Sequence, residues 1–398
     1  MVVRPPMSAH PVVRVNARQG RRARAGAPWL FSNEIEMTAA AKALPPGAPV
    51  NVVGDDGRAF GTGFFNPHSL IAVRLVDSSP DVALDAAFFA AKLKRALALR
   101  EQLFAAPYYR LVNAEGDNLP GLVIDRFADS AVVQITAAGM EAVREEVVSA
   151  LESVLAPENI VLRADAPGRA QEGLESYVAA VKGAAGRVAV EENGVRYFAD
   201  LKAGQKTGWY YDQRDNRAFM ARIAKGKSVL DAFTFSGGFA LAAARAGARE
   251  VGGLDSSAAA LALAEEAAAA NRLAAKFVKC DVFEELERLA GAGERFDLVI
   301  ADPPPFVKAK KDLETGAKAY RKLARLAASV TAPGGIVFLA SCSHNMGADR
   351  FAAESATGIA RAGRGARLIR QGGAGPDHPV HPMLPESAYL KALVYALD

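Results

Sequence analysis

The feature that most constrains this chain is a regular alternation of short apolar strands and helices that begins near Gly186. In order it reads KSVLDAF, the helical GGFALAAARAG ending at Gly247, REVGGLD, the helical SAAALALAEEAAAANRL, KFVKCD, the helical EELERL, FDLVIAD, a helix around AYRKLARLAASV, and GGIVFLASC. Five hydrophobic strands joined by helices of this length predict a doubly wound α/β sheet, parallel and covered on both faces, with its ligand crevice beyond the carboxyl ends of the strands. The residues that follow each strand are therefore the first place to look for chemistry.

At 398 residues the chain exceeds a single core, which stops growing near ~250–300 residues. The expected division is a β-rich segment at 1–78, an α+β segment at 79–184, and the α/β domain at 185–398. In the first, VNVV and AFGTGFF flank a GDDGR turn, which marks a hairpin. The second opens with a helix over about Leu84–Phe104, continues through strands YYRLVN, LPGLVIDRF and AVVQIT, a single helix EAVREEVVSALESVL, and the strand NIVLRAD. A further hairpin, VAVEENGVRYFAD, turns at Asn193-Gly194.

Charge is informative only locally. The formal net charge is +4, but Arg4, Arg14, Arg18, Arg21, Arg22 and Arg24 fall in the first 24 residues, which hold no Asp or Glu. Such a cluster suits either a phosphate-contacting surface or a solvated basic strand and turn. The two cysteines, Cys280 and Cys342, exclude a disulfide framework or a four-thiolate zinc site. His378 and His381 lie close together, but the prolines around them hold the segment extended and supply no third ligand, so no metal is expected. The N-terminus lacks an apolar signal region and no stretch approaches the ~20 apolar residues of a membrane span, so a cytoplasmic protein is expected.

The first strand of the alternation runs into D-A-F-T-F-S-G-G, with Asp231, Phe233, Ser236, Gly237 and Gly238 as candidate ligand contacts; the glycines let backbone pass close to a ligand. A dinucleotide fingerprint, G-x-G-x-x-G, is absent, which demotes nicotinamide chemistry. Asp255, followed by Ser256, ends the next strand and is placed to accept from two ribose hydroxyls. Asp281, followed by Val282, ends the third and suits the amine of an adenine. Each acid precedes a helix and could instead be its N-cap; together with the glycine turn they favour S-adenosylmethionine (SAM). The fourth strand ends in A-D-P-P-P-F, where Asp302 sits at the base of a loop stiffened by three prolines, suited to holding a planar, amine-bearing base. The fifth ends in L-A-S-C-S-H and places Cys342 beside the same crevice. Methylating carbon-5 of a pyrimidine requires a thiolate to add first at carbon-6, whereas methylation at nitrogen needs no thiol. Cys342 could also be a small buried hydrophobe, the favoured reading for Cys280.

Taken in order, D-N-L-P-G-L-V-I-D-R, G-W-Y-Y-D-Q-R-D-N-R, V-L-D-A-F-T-F-S-G-G, A-D-P-P-P-F, S-C-S and H-P-V-H-P-M-L-P-E-S-A-Y-L-K resemble the bacterial ribosomal large-subunit RNA cytosine-5 methyltransferase I family over essentially the whole chain. The resemblance implies a Rossmann-like class I methyltransferase domain behind a small PUA domain and an α+β middle domain, with SAM as cofactor and large-subunit ribosomal RNA as partner. It implies that Cys342 is the nucleophile, that Asp302 positions the base, that Asp212, Gln213 and Arg214 lie over the methionine end of the cofactor, and that Arg14, Arg18, Arg21, Arg22 and Arg24 belong to an RNA-binding domain. The chain departs from the pattern at Pro305 and His344, and Pro-Pro-Pro stands where many RNA cytosine-5 enzymes carry a second cysteine. The base that releases the product is thus open between His344 and a water held by Asp302. A homodimer, methylation of a purine nitrogen, and a non-catalytic RNA-binding assembly factor also remain open.

Overall fold

A computed structural model describes residues 10–184, 186–202, 204 and 207–398, and its elements are counted over these. Arg4 lies outside the described residues. The chain forms two compact units. One comprises Met1–Gly186, Leu201–Gly208 and Pro376–Pro385; the other comprises Arg187–Asp200, Trp209–Gly375 and Glu386–Asp398.

The first unit contains two five-stranded sheets. Its N-terminal part consists of β1 (Val12–Arg14), α1 (Arg21–Arg24), β2 (Trp29–Leu30), α2 (Ala39–Lys42), β3 (Ala48–Val53), β4 (Ala59–Phe65) and β5 (Val73–Asp77), with strand order β1-β3-β4-β5-β2. The β3–β4 hairpin turns through Gly57 at φ +79°, a conformation glycine adopts without strain. Alternate residues of these strands, among them Val13, Val50, Val52, Phe65 and Val73, face one core.

The second part has α3 (Ala86–Leu103), β6 (Tyr108–Asn113), β7 (Leu122–Phe127), β8 (Ser130–Ile135), α4 (Ala138–Ala142), α5 (Arg144–Leu155), β9 (Asn159–Ala164) and β10 (Tyr177–Lys182), in strand order β10-β9-β8-β7-β6. Asp85 caps α3 by accepting from the Phe88 N–H at 2.9 Å. The single helix expected over EAVREEVVSALESVL is two helices: the β-branched Val143, packed against the core at φ −111° and ψ 26°, leaves the helical region and separates α4 from α5.

The second unit opens with β11 (Arg187–Glu192) and β12 (Val195–Asp200), an antiparallel hairpin whose Asn193 and Gly194 both have positive φ, 51° and 77°. There follow α6 (Arg214–Arg222), β13 (Ser228–Ala232), α7 (Gly238–Arg245), β14 (Glu250–Asp255), α8 (Ala258–Asn271), β15 (Lys276–Lys279), α9 (Val282–Gly291), β16 (Phe296–Ala301), α10 (Leu313–Ser329), β17 (Thr331–Ser341), α11 (Ala348–Arg361), β18 (Ala366–Gly372) and β19 (Lys391–Leu397). They form a seven-stranded sheet of order β15-β14-β13-β16-β17-β19-β18. The five strands read from sequence are its parallel part, and β19 joins antiparallel to both β17 and β18. Separate apolar cores cover the sheet, one including Leu286, Leu323 and Phe351, the other Met220, Phe239 and Phe338. Successive strands are added to one side from β13 to β15 and to the other from β16 on, so the crevice lies beyond the carboxyl ends of β13 and β16.

Candidate active site

The loop after β13 is held in an unusual conformation. Phe233 and Phe235 adopt φ of +66° and +50°, values rare for bulky residues and typical of sites where surrounding structure imposes the backbone. Asp231, fully buried at the end of β13, supplies part of that constraint: its Oδ2 accepts from the Thr234 hydroxyl at 2.6 Å and the Ala240 N–H at 2.9 Å. Burial, reinforced by the negative charges of Asp302 and Asp255, pushes its carboxyl up to about 7. Gly237 begins α7 at φ +81°, and a Cβ there would meet Ala264 at 3.0 Å; a Cβ on Gly238 would meet the Arg217 side chain at 3.1 Å. Gly237 is thus demanded by its backbone conformation before any ligand is considered, whereas at Gly238 a side chain would require Arg217 to shift.

Asp255 sits at the end of β14, where its two oxygens accept from the Phe235 N–H (2.9 Å) and the Ser257 N–H (2.8 Å), bracing the same loop. Ser256 is exposed. Asp281 does cap a helix, its Oδ1 accepting from the Phe283 and Glu284 N–H groups that open α9, while Val282 faces the apolar core and can offer a ligand only its backbone. Two buried polar atoms on the β13 loop, Asp231 Oδ1 and Ser236 Oγ, have no hydrogen-bond partner. Such atoms are uncommon in folded proteins, and these fit a polar cofactor seated at this edge.

Asp212 and Gln213 lie in a buried turn ahead of α6. Asp212 Oδ2 accepts from the Tyr389 hydroxyl at 2.5 Å, Gln213 Oε1 accepts from the Asn216 amide at 2.7 Å, and the mostly buried Arg214 lies 3.6 Å from Glu192. The preceding Tyr210 packs edge-on against Phe235, with ring centroids 5.3 Å apart. Its hydroxyl is pushed strongly up, first by burial and then by the charges of Asp212, Asp302, Cys342 and Asp255. Four candidates from four different stretches of sequence therefore act electrostatically on one tyrosine.

β16 and β17 are in register, Ala301 opposite Leu339, so Asp302 and Cys342 emerge from the same edge. The A-D-P-P-P-F loop is tied to S-C-S: the Val307 N–H donates to Ser343 Oγ at 3.1 Å, and that hydroxyl also pairs with Tyr320 at 2.9 Å. Phe306 packs on Tyr320 at 4.7 Å between centroids. Cys342 is half-buried, and Lys391, opposite Ser341, donates to the Ser343 carbonyl at 2.7 Å. Burial pushes the Lys391 amine down to about 8, opposed by Cys342. His344 is exposed and packs against Tyr389 at 5.1 Å. Cys280 is pushed up to about 11 by burial and then by Glu285, Asp281 and Asp255.

Reasoning from sequence missed Tyr210, Tyr320, Ser343, Tyr389 and Lys391. Tyr210, Ser343, Tyr389 and Lys391 lie within the motifs G-W-Y-Y, S-C-S and S-A-Y-L-K, but nothing in their spacing shows that β19 returns antiparallel beside β17. In the first unit the candidate arginines Arg14, Arg18, Arg21, Arg22 and Arg24 are all exposed. Arg24 is paired with Asp55 at 2.9 Å and lies over Phe60, and Arg22 donates to the Met383 carbonyl at 3.0 Å.

A doubly wound sheet with a constrained loop after its first strand, strand-end acids and unsatisfied polar atoms at the switch point defines a SAM-dependent methyltransferase. The family model described as S-adenosylmethionine-dependent methyltransferase matches residues 181–396, and that of a PUA-like domain matches residues 13–78. Among solved structures, a protein described as a SAM-dependent methyltransferase from Streptococcus mutans is 22% identical and superimposes with a TM-score of 0.82 over 97% of this chain and 100% of that chain. A methyltransferase complexed with SAH is 23% identical, also with a TM-score of 0.82, over 97% and 99%. The ribosomal RNA large subunit methyltransferase I of Shewanella denitrificans is 39% identical over 92% of this chain and 94% of its own length, and that of Tolumonas auensis is 38% identical over the same shares. The chain belongs to the ribosomal RNA large subunit methyltransferase I family. No helix among the described residues is long and apolar enough to cross a membrane.

Proposed function

We propose that the chain methylates carbon-5 of a cytosine in large-subunit ribosomal RNA, with Cys342 as nucleophile and Asp302 positioning the base. The observation that carries this reading is that Asp302 and Cys342 leave neighbouring parallel strands at one edge, with the proline-rich loop anchored to the residue after the thiol. Nitrogen methylation would leave both the thiol and its half-buried amine neighbour without a role. In this reading Asp231, Phe233, Ser236, Gly237, Gly238, Asp255, Ser256, Asp281 and Val282 form the cofactor cradle, Asp212, Gln213 and Arg214 cover its methionine end, and Asp302 borders it. When bound, SAM supplies an electrophilic methyl group on a sulfonium. The Cys342 thiolate adds to carbon-6, which makes carbon-5 nucleophilic, and Asp302 holds the exocyclic amine so that carbon-5 faces the methyl. Residues 1–78, with Arg14, Arg18, Arg21, Arg22 and Arg24, contact RNA phosphates, 79–184 position the substrate, and 185–398 hold the chemistry in the cytoplasm, where ribosomes are built.

RNA from a strain lacking the gene, transcribed with 5-fluorocytosine, tests the reading. Fluorine at carbon-5 blocks the final elimination, so wild-type protein should form a covalent adduct with RNA and Cys342→Ala should not. Nucleoside mass spectrometry on ordinary RNA should find 5-methylcytosine; a methylated purine nitrogen instead, with no adduct, sinks the proposal.

A further inference from the structure

Lys391 is the first residue of β19 and pairs across the ladder with Ser341, the last residue of β17, so it lies beside the step in sequence that carries the thiol. Its Nζ donates to the Ser343 carbonyl, on the far side of Cys342, at 2.7 Å. The side chain therefore runs past Cys342 instead of out to water, and is half-buried. An ammonium has three donors, and that carbonyl takes one of them. Among the described residues the charge acting on Lys391 is that of Cys342, not of a carboxylate.

Resting on the cysteine-nucleophile reading above, we infer that Lys391 is the proton acceptor of Cys342. The neutral amine takes the thiol proton: the S–H bond breaks, its electron pair stays on sulfur, and an N–H bond forms. The ammonium so produced, held by the Ser343 carbonyl, faces the thiolate until it adds to carbon-6.

The surroundings support this division of labour. The amine is pushed down to about 8, close to the ordinary thiol value of about 8.5, so the neutral amine takes the proton from the thiol at little cost. The other titratable groups around the thiol are poor acceptors or hinder ionisation. Tyr320 and Tyr210 are pushed up by burial and keep their protons. Asp302, Asp212 and Asp255, which share the neighbourhood of Tyr210 with the thiol, are carboxylates whose charge opposes a thiolate. His344 is exposed and packs against Tyr389.

The test is the pH dependence of alkylation at Cys342 in the full-length protein, with iodoacetamide as probe and peptide mass spectrometry to separate Cys342 from Cys280. Lys391→Met should raise the Cys342 midpoint by about one unit or more, the usual effect of losing an adjacent opposite charge. Lys391→Arg, whose guanidinium keeps the charge but cannot accept a proton, isolates the electrostatic part and should leave the midpoint within a few tenths. SAM binding by each variant checks that it is folded. An unchanged midpoint in a SAM-binding Lys391→Met protein overturns the inference. A reciprocal measurement covers the case in which that variant does not fold: by linkage, Cys342→Ala should lower the pH midpoint for acetylation of Lys391 by acetic anhydride, and an unchanged midpoint there also overturns it. Neither readout uses RNA. A failed 5-fluorocytosine trap therefore sinks the carbon-5 reading while leaving the proton pairing to be judged by itself.

Discussion

The carboxyl edge of the seven-stranded sheet has two halves, and an amine stands in only one of them. On one side of the switch point, the ends of β13, β14 and β15 carry Asp231, Asp255 and Asp281, and the cysteine there, Cys280, is driven toward the inert thiol by burial and then by acids. On the other, the ends of β16 and β17 and the start of β19 bring Asp302, Cys342 and Lys391 together, and the cysteine there has an amine for a neighbour. Both cysteines follow strands of one sheet and both are half-buried. Burial alone therefore does not separate a structural thiol from a candidate nucleophile; the sign of the nearest charge does.

The sharpest way to break this comparison is to remove each thiol in turn. Cys342→Ala should lower methyl transfer by at least about a thousandfold while preserving SAM affinity, and Cys280→Ala should leave the rate unchanged. Equal losses, or none in Cys342→Ala, would dissolve the distinction between the halves.

The acid half makes a prediction about pH. The folded-state carboxyl of Asp231 is pushed up to about 7, so between its unfolded value near 3.9 and about 7 the native protein binds the extra proton, and stability falls as pH rises through that window. Asp231→Asn removes the titration while keeping an acceptor for Thr234 and Ala240. Chemical denaturation should show the variant gaining roughly 2–3 kcal/mol on wild type between pH 5 and pH 8. A constant gap would mean that Asp231 is ionised throughout.

Asp255→Ala should weaken SAM binding by about 1–3 kcal/mol without unfolding the domain, since it removes an acceptor at a strand end and the brace on the Phe235 N–H. Calorimetric titration at one pH suffices, and unchanged affinity would take the ribose contact away from the acid half.

The smallest effect should come from outside the sheet and leave both halves intact. Replacing Arg21, Arg22 and Arg24 should flatten the salt dependence of RNA binding by about 0.7–0.9 log–log units for each phosphate no longer neutralised, with SAM affinity unchanged. Arg24 is already paired with Asp55 and Arg22 with the Met383 carbonyl, so the change should fall short of that for three phosphates. An unaltered slope would make the segment a solvated surface.

Legible in the residues alone were the parallel α/β core, the hairpin at Asn193-Gly194 and the strand-end positions of Asp231, Asp255, Asp281, Asp302 and Cys342. These follow from local rules: hydrophobic periodicity fixes strand and helix, and a parallel sheet sends every strand's carboxyl end to one edge. The rest depends on long-range pairing. Lys391 reaches the Ser343 carbonyl, next to Cys342, because β19 turns antiparallel beside β17, a partnership that no period in K-A-L-V-Y-A-L encodes. Pro376–Pro385 joins the first unit because the Asp377 carbonyl and carboxylate take donors from Arg100 (2.9 Å) and Arg110 (3.0 Å), which lie far earlier in the chain. The difference between Cys280 and Cys342 is of the same kind: a charge acts through space, so a thiol's reactivity is set by whichever strand the fold lays next to it.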